Sequence, residues 1–198
     1  LAICPHLKRI IGLKEALPIP SLERSRVPAN WKALLLHLLA LASIYAVMLL
    51  RWGYEFGRND QMQTLAYAKM LANPDLYPLD AYLRGIHANL PNERYFFSWL
   101  LSPFAGNLPL VSILGHALFA LIFLHFLWKI SARFIDHEPM RWLVPLLLFV
   151  PLYGVNLGGN ELYYNSFFVS NVVKTIGLAG LWFFITNRYF AAFGLFAI

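Results

Sequence analysis

Three long stretches of this 198-residue chain contain no Asp, Glu, Lys or Arg, and they restrict its possible folds more than any other feature. They are residues 33–50, 95–128 and 142–160. A run of about 18–20 such residues, rising ~1.5 Å per residue as a helix, is long enough to cross the ~30 Å hydrocarbon layer of a bilayer. The sequence therefore predicts an all-α protein, a polytopic bundle of transmembrane helices.

The composition supports a membrane protein and excludes several other classes. Hydrophobic residues make up 59% of the chain and charged residues 13%, whereas about a quarter of an average soluble protein is charged. The net charge of +6 does not indicate nucleic-acid binding, because the basic residues lie at the ends of the apolar runs, as membrane topology requires. The single cysteine, Cys4, excludes an intramolecular disulfide and a cysteine-based metal site.

We expect two domains: a basic cytoplasmic tail over residues 1–32 and a transmembrane domain over 33–198 with about four to five spans. The predicted spans cover residues 33–50, 108–128, 142–153, 172–186 and 189–198. Trp31 and Trp52 flank the first span, where aromatic residues mark the membrane interface. Because the chain begins at Leu1 and ends within an apolar run, we expect it to be a piece of a longer polytopic protein.

Charge asymmetry predicts the orientation. Residues 1–32 contain six basic and two acidic residues, whereas residues 53–94 contain four basic and five acidic residues. Since cytoplasmic segments carry the excess of Lys and Arg, the 53–94 loop is expected on the non-cytoplasmic side. The polar segment 154–171 should lie on the same side, so the two segments can meet.

The 53–94 loop is predicted to form short helices that lie on the membrane. Asp60 and Gln63 have the spacing of a capping box, and the helix that follows should end near Asn73-Pro74. An apolar stripe is expected along it, comprising Met62, Leu65, Ala66, Lys69 and Met70. Asp80 is positioned to cap a second helix that runs to about Ala88, and residues 91–93 should begin a third.

Asp60 is the first candidate for catalysis. A carboxylate just beyond a membrane span can act as a general base, can hold a divalent metal that bridges a diphosphate, or can simply cap a helix for ~1 kcal/mol. Glu55 is the second candidate, and its alternative is a solvated interfacial charge.

Several basic side chains are candidates for binding phosphate groups, since the planar guanidinium matches phosphate oxygens. They are Arg58, Arg84, His87, Arg94 and Lys174. The alternatives are contacts with lipid headgroups or with a nearby acid. Lys174 lies near the start of the fourth predicted span, where a charge needs a partner or a wet cavity, and Glu161 is the candidate partner.

The remaining motifs carry no specific chemistry. Gly158-Gly159-Asn160 lacks the spacing of a phosphate-binding loop, and the histidines show no zinc-binding spacing. His37, one turn inside the first span, is expected to bond a neighbour rather than to ligate a metal.

The layout and two short segments resemble GT-C-type membrane glycosyltransferases, which are polytopic enzymes that use lipid-linked sugars. The matching residues are Asp60 in Gly57-Arg58-Asn59-Asp60-Gln61, the loop through Arg94, and the segment from Gly158 to Phe167. By layout, the resemblance covers most of residues 30–198. The paired Asp-Glu of some members is absent, because Asn59 precedes Asp60 and Gln61 follows it.

The resemblance implies an integral protein of a bacterial inner membrane, with its active loop on the periplasmic or outer side. It implies transfer of a sugar from a polyprenyl phosphate with inversion, with Asp60 as catalytic base and Glu55 second. The implied partners are membrane lipid and the lipid-linked sugar. The alternative is a non-enzymatic membrane protein, either a transporter or a factor for assembling envelope polysaccharide.

Overall fold

The computed structural model describes residues 31–58, 60–90, 92–150 and 163–197, and these residues contain helices and no strand. Eight α-helices occur among them: α1 (Trp31–Trp52), α2 (Asp60–Ala72), α3 (Ala81–Ala88), α4 (Glu93–Leu101), α5 (Leu108–Phe134), α6 (Glu138–Phe149), α7 (Val169–Ile185) and α8 (Tyr189–Phe196). Short 3₁₀ helices occupy Pro74–Leu76 and Ser102–Asn107. The chain divides into two compact units, Leu1–Leu34 and Leu35–Ile198, and the second unit contains most of α1 and all the later helices.

Two helical stretches in the described part of the chain are long and apolar enough to cross a membrane. They are Trp31–Trp52, with a mean hydropathy of 2.4, and Arg94–Phe134, with a mean hydropathy of 2.2. Helix α7 is apolar but has only 17 residues, and α6 has 12. The all-helical prediction is therefore confirmed, while the count of four to five spans stays a prediction.

One apolar core joins α1, α5 and α6. Leu41, Tyr45 and Met48 of α1 pack against Phe123 of α5 and Phe149 of α6, all of them buried. Burying an apolar side chain of this size contributes about 1.5–3 kcal/mol. Helix α7 packs on α5 and α8, so that α5 lies centrally in this part of the molecule.

The polar loop after α1 forms a second, smaller core. Leu65 and Ala68 of α2 pack against Phe97 and Leu101 of α4, while Tyr67 and Met70 contact Leu83 of α3. The predicted stripe is wrong in part, because Met62 and Lys69 are exposed. The buried face of α2 turns towards α3 and α4 and includes the polar residues Gln61 and Thr64.

Helix boundaries follow local signals in the loop and depart from prediction in the long helices. As predicted, Asp80 caps α3 by accepting a hydrogen bond of 2.9 Å from the Leu83 N–H, and α4 begins within residues 91–93, where Asn92 is its cap. Helix α5 continues past Trp128 to Phe134, so the predicted loop at 129–141 is shorter than expected. Helix α7 begins at Val169, three residues before the predicted start.

Candidate functional site

A cavity of about 260 Å³ lies where the loop after α1 meets the segment before α7. It is lined by Asp60, Thr64, Arg94, Tyr164, Phe168, Val169 and Ser170. The first residue of α2, the first turn of α4 and the first residues of α7 thus converge on one space. Asp60 and Arg94, which the sequence indicated separately, line the same cavity.

Gln61 holds α2 against the segment before α7. Its side chain is fully buried. Its Oε1 accepts a hydrogen bond of 2.6 Å from the N–H of Gly57, and its Nε2 donates one of 3.3 Å to the Phe167 carbonyl. Gly57 has φ +72°, a left-handed conformation that favours glycine. The 53–94 loop and the polar segment before α7 are therefore in contact. A bond of 2.9 Å from the Glu55 N–H to the Asn165 carbonyl also joins them.

Asn171 fixes the opposite side of the cavity. Its Oδ1 accepts from the Tyr164 N–H at 3.1 Å, and its Nδ2 donates to the carbonyls of Tyr164 at 3.1 Å and Ser166 at 2.8 Å. Asn171 is fully buried in the first turn of α7. One side chain thus satisfies three backbone groups of the segment that carries Tyr164 to the cavity.

Asp60 is exposed and is the first residue of α2. Its carbonyl accepts a hydrogen bond of 2.9 Å from the Thr64 hydroxyl. The predicted capping partner Gln63 is engaged elsewhere, because its Oε1 accepts a bond of 2.5 Å from the Tyr82 hydroxyl. The Asp60 carboxylate therefore lies at the cavity rather than being sealed in the core.

The cavity also has positive character. The Arg94 guanidinium donates to the Tyr82 hydroxyl, and Arg94 lines a second cavity of about 470 Å³ beside α3. Val169 and Ser170 are the first residues of α7, which has no acidic residue in its first turn and no side-chain bond at its N-cap. The N-terminal N–H groups of a helix favour anions, so an anion at this cavity meets both the guanidinium and the helix end.

The other predicted carboxylate and basic residues lie apart from this cavity. Glu55 forms an ion pair with Arg58, so each neutralises the other at a partly exposed surface. Arg84 and His87 line a different cavity of about 440 Å³, next to the end of α2. The structure therefore does not join the five predicted phosphate-binding residues into one cluster.

Lys174 lies in the second turn of α7, with its Nζ 4.5 Å from the centre of the Tyr164 ring. A cation over an aromatic face is attracted by the ring, and Tyr164 also lines the Asp60 cavity. The charge of Lys174 is thus next to the proposed site. Its predicted partner, Glu161, lies outside the described residues.

A buried polar network that was not predicted lies at the base of the same segment. His116 of α5 is fully buried, and its Nε2–H donates to the Tyr164 carbonyl at 2.8 Å. Its Nδ1 shares a bond of 2.7 Å with the Tyr45 hydroxyl. The signal in the sequence is a histidine in the middle of a charge-free run, where a polar group needs partners.

A hydrogen-bonded pair of histidines also connects α1 and α5. His37 Nε2 and His125 Nδ1 share a hydrogen bond of 2.9 Å, and the His37 ring packs against Trp128 and Trp142. The prediction that His37 bonds a neighbour is confirmed. No group of three or more His, Cys, Asp or Glu side chains in the described part of the chain is arranged to hold a metal.

The assignment of a function rests on the cavities and hydrogen bonds described above. Comparison with protein-family models, with curated proteins and with solved structures gives no significant match.

Proposed function

We propose that the chain is part of an integral membrane glycosyltransferase, which transfers a sugar from a polyprenyl phosphate with inversion at the non-cytoplasmic face. The observation that carries the proposal is the cavity shared by Asp60, Arg94 and the start of α7. It combines an accessible carboxylate with two features that stabilise an anion. Sugar transfer from a lipid phosphate needs both, because a proton leaves the acceptor while negative charge develops on the leaving phosphate.

The proposed roles follow from the geometry. The Asp60 carboxylate takes the proton from the acceptor hydroxyl, whose oxygen then attacks the anomeric carbon of the sugar. The bond between that carbon and the phosphate oxygen breaks, and the lipid phosphate leaves with the electron pair. Arg94 and the first N–H groups of α7 receive its charge, and the Lys174 ammonium beside Tyr164 adds to the positive field.

Two helices long and apolar enough to span a bilayer support the membrane location. Phe96 and Trp99 of α4 and Phe104 in the turn that follows are exposed apolar side chains close to Arg94 in the chain. Such side chains suit contact with lipid tails, which would bring the phosphate of a long-chain donor to the level of Arg94. The four to five spans and the outward orientation of the 53–94 loop belong to this proposal.

The test is the Asp60→Asn variant of the protein, assayed for sugar transfer from a polyprenyl-phosphate sugar. Asn keeps the shape of the side chain but cannot take a proton, so we expect the rate to fall by about 10²–10⁴-fold. Thermal stability should not change, because Asp60 is exposed. Asp75→Asn, an exposed carboxylate in the turn after α2, is the matched control. Unchanged transfer by Asp60→Asn would refute the catalytic role.

A second candidate is a transporter, and the histidines in the long helices favour it. Ionisable groups inside membrane helices often mark ion or substrate pathways, and His37, His125 and His116 all lie in such helices. In this case, proton-coupled uptake into vesicles should depend on the His37–His125 pair and not on Asp60. Loss of uptake in His125→Gln with normal uptake in Asp60→Asn would favour the transporter.

A further inference from the structure

We propose that the cavity between the end of α2 and α3 is a second site, which binds the phosphate headgroup and first methylene groups of a lipid phosphate. It is separate from the Asp60 cavity and does not depend on the proposed sugar transfer. Its volume is about 440 Å³. It has a cationic side and an apolar side, as an anionic amphiphile requires.

Arg84 and His87 form the polar side, and Arg84 supplies its positive charge. They lie three residues apart on α3, so both side chains project from the same face of the helix. Among the described side chains Arg84 forms no ion pair: the Asp80 carboxylate accepts from the Leu83 N–H, and the ion pair that is seen joins Arg58 to Glu55. The Arg84 guanidinium therefore has donors to offer to phosphate oxygens.

His87 is held in position by a buried tyrosine. The Tyr67 hydroxyl and the Nδ1 of His87 share a hydrogen bond of 3.1 Å, and Tyr67 is fully buried. Burial raises the pKa of the Tyr67 phenol, and the nearby Tyr95 raises it further, so the hydroxyl keeps its proton and can donate to Nδ1. With Tyr67 as the donor, the hydrogen of the neutral imidazole is on Nε2, which is then a donor for a ligand.

The apolar side comes from α2 and the turn after it. Met70, Leu71, Pro74 and Tyr77 line the cavity together with Arg84 and His87. A small hydrophilic anion would gain nothing from this carbon surface, whereas an alkyl chain would gain about 0.8 kcal/mol for each CH₂ group removed from water. The lining thus favours a phosphate that is attached to a chain.

The surroundings of the cavity indicate where such a ligand comes from. Leu76 and Leu79 lie in the turn between α2 and α3 and are exposed, Leu79 at 94%. Exposed leucines in a turn suit contact with a bilayer surface better than contact with water. A membrane lipid can therefore reach Arg84 and His87 directly from the bilayer, whereas free phosphate would come from solution.

Equilibrium binding to the full chain, purified in a neutral detergent and followed by native mass spectrometry, tests the proposal. The probes are dodecyl phosphate, dodecanol and inorganic phosphate. We expect dodecyl phosphate to bind at least about tenfold more tightly than either of the others, because only it uses both sides of the cavity. Arg84→Gln should weaken it by about tenfold or more, which is the loss of one charge-assisted pair. Arg133→Gln, an exposed arginine at the end of α5, is the control and should have no effect.

Three outcomes would overturn the proposal. The first is equal affinity of the wild type and Arg84→Gln for dodecyl phosphate. The second is inorganic phosphate binding as tightly as dodecyl phosphate, which would indicate a free-anion site. The third is binding that depends on Arg94 alone, tested with Arg94→Gln, in which case the donor site of the proposed glycosyltransferase would stand while this site would not. Conversely, Arg84-dependent binding by a protein that transfers no sugar from the polyprenyl-phosphate donor would support this site and reject the proposed function.

Discussion

His87 and His116 each share a hydrogen bond with a tyrosine hydroxyl, yet their surroundings are opposite. The bond of His87 to Tyr67 leaves the second ring nitrogen facing a cavity. The bond of His116 to Tyr45 is completed by a second bond to the Tyr164 carbonyl, and His116 is fully buried. The first imidazole keeps a donor for a ligand, whereas the second has used both nitrogens to join helices.

The short helices of the 53–94 loop and the long apolar helices differ in the same way, in whether their polar side chains are open to ligands or bonded within the protein. In the loop, Asp60, Arg84 and Arg94 reach cavities or the surface. In the long helices, several polar side chains bond one another or the backbone, as His37 does with His125 and Ser131 with the Leu127 carbonyl, although the buried Ser112 hydroxyl and Trp128 N–H have no such bond to the described residues. In an apolar environment an unpaired polar group is costly. Substitutions should therefore affect stability in the long helices and ligand chemistry in the loop.

The largest expected loss of stability is for His116→Leu. This change leaves the Tyr45 hydroxyl and the Tyr164 carbonyl without their partner, and the free energy of unfolding should fall by about 2–4 kcal/mol. Reversible unfolding in mixed detergent micelles measures it. The control is His137→Leu at an exposed position, where less than about 0.5 kcal/mol is expected. Equal losses of stability at positions 116 and 137 would show that the buried hydrogen bonds of His116 do not stabilise the fold.

A somewhat smaller loss is expected for Gly115→Ala. A Cβ atom there would lie 2.7 Å from the Phe167 ring, and this ring is held between Phe97 and Phe119. Because the ring has little room to move, overpacking should cost about 1–3 kcal/mol.

Gly177→Ala is the matched control for Gly115→Ala, since nothing lies within 4 Å of the Cβ position in helix α7. That change should be neutral or stabilise by up to about 1 kcal/mol. The same assay applies, and destabilisation by Gly177→Ala of the size expected for Gly115→Ala would show that the Phe167 contact is not the cause.

The smallest effect is expected in the loop, for Asp80→Ala. It removes the side-chain bond to the Leu83 N–H at the start of α3, at a cost of about 1 kcal/mol. Hydrogen exchange of the α3 amides should be faster, while those of α5 remain unchanged. Asp75→Ala is the control, because its side chain caps no helix. A global loss of protection would mean that the loop and the long helices unfold as one unit.

The sequence predicted the features that depend on neighbouring residues. Asp80 caps α3 at the expected position, α4 begins within the expected residues 91–93, and α2 ends before Asn73-Pro74. The gap between the predicted spans 172–186 and 189–198 is a turn in which Asn187 has φ 60°. Capping side chains and a residue in the left-handed conformation act within a few positions of the chain, so their signals are visible without a fold.

Features that depend on packing were not predicted. Helix α5 was expected to stop before Lys129, but the charge of Lys129 lies 5.4 Å from the centre of the Trp182 ring, and the helix continues. The approach of α2 to the segment before α7 depends on the bonds of Gln61 to Gly57 and Phe167. Nothing in the order of the residues indicates which distant carbonyl a buried glutamine will bond.

The three bonds of Asn171 have a consequence for how the Asp60 cavity can change shape. Since Asn171 is part of α7 and grips the backbone of Tyr164 and Ser166, this wall can shift only together with the helix or by breaking all three bonds. Helix α2 is joined to the same segment by the bond from Gln61 Nε2 to the Phe167 carbonyl, so the two walls of the cavity are linked and should move together. For the proposed glycosyltransferase, this linkage would make the cavity a preformed site of nearly constant width.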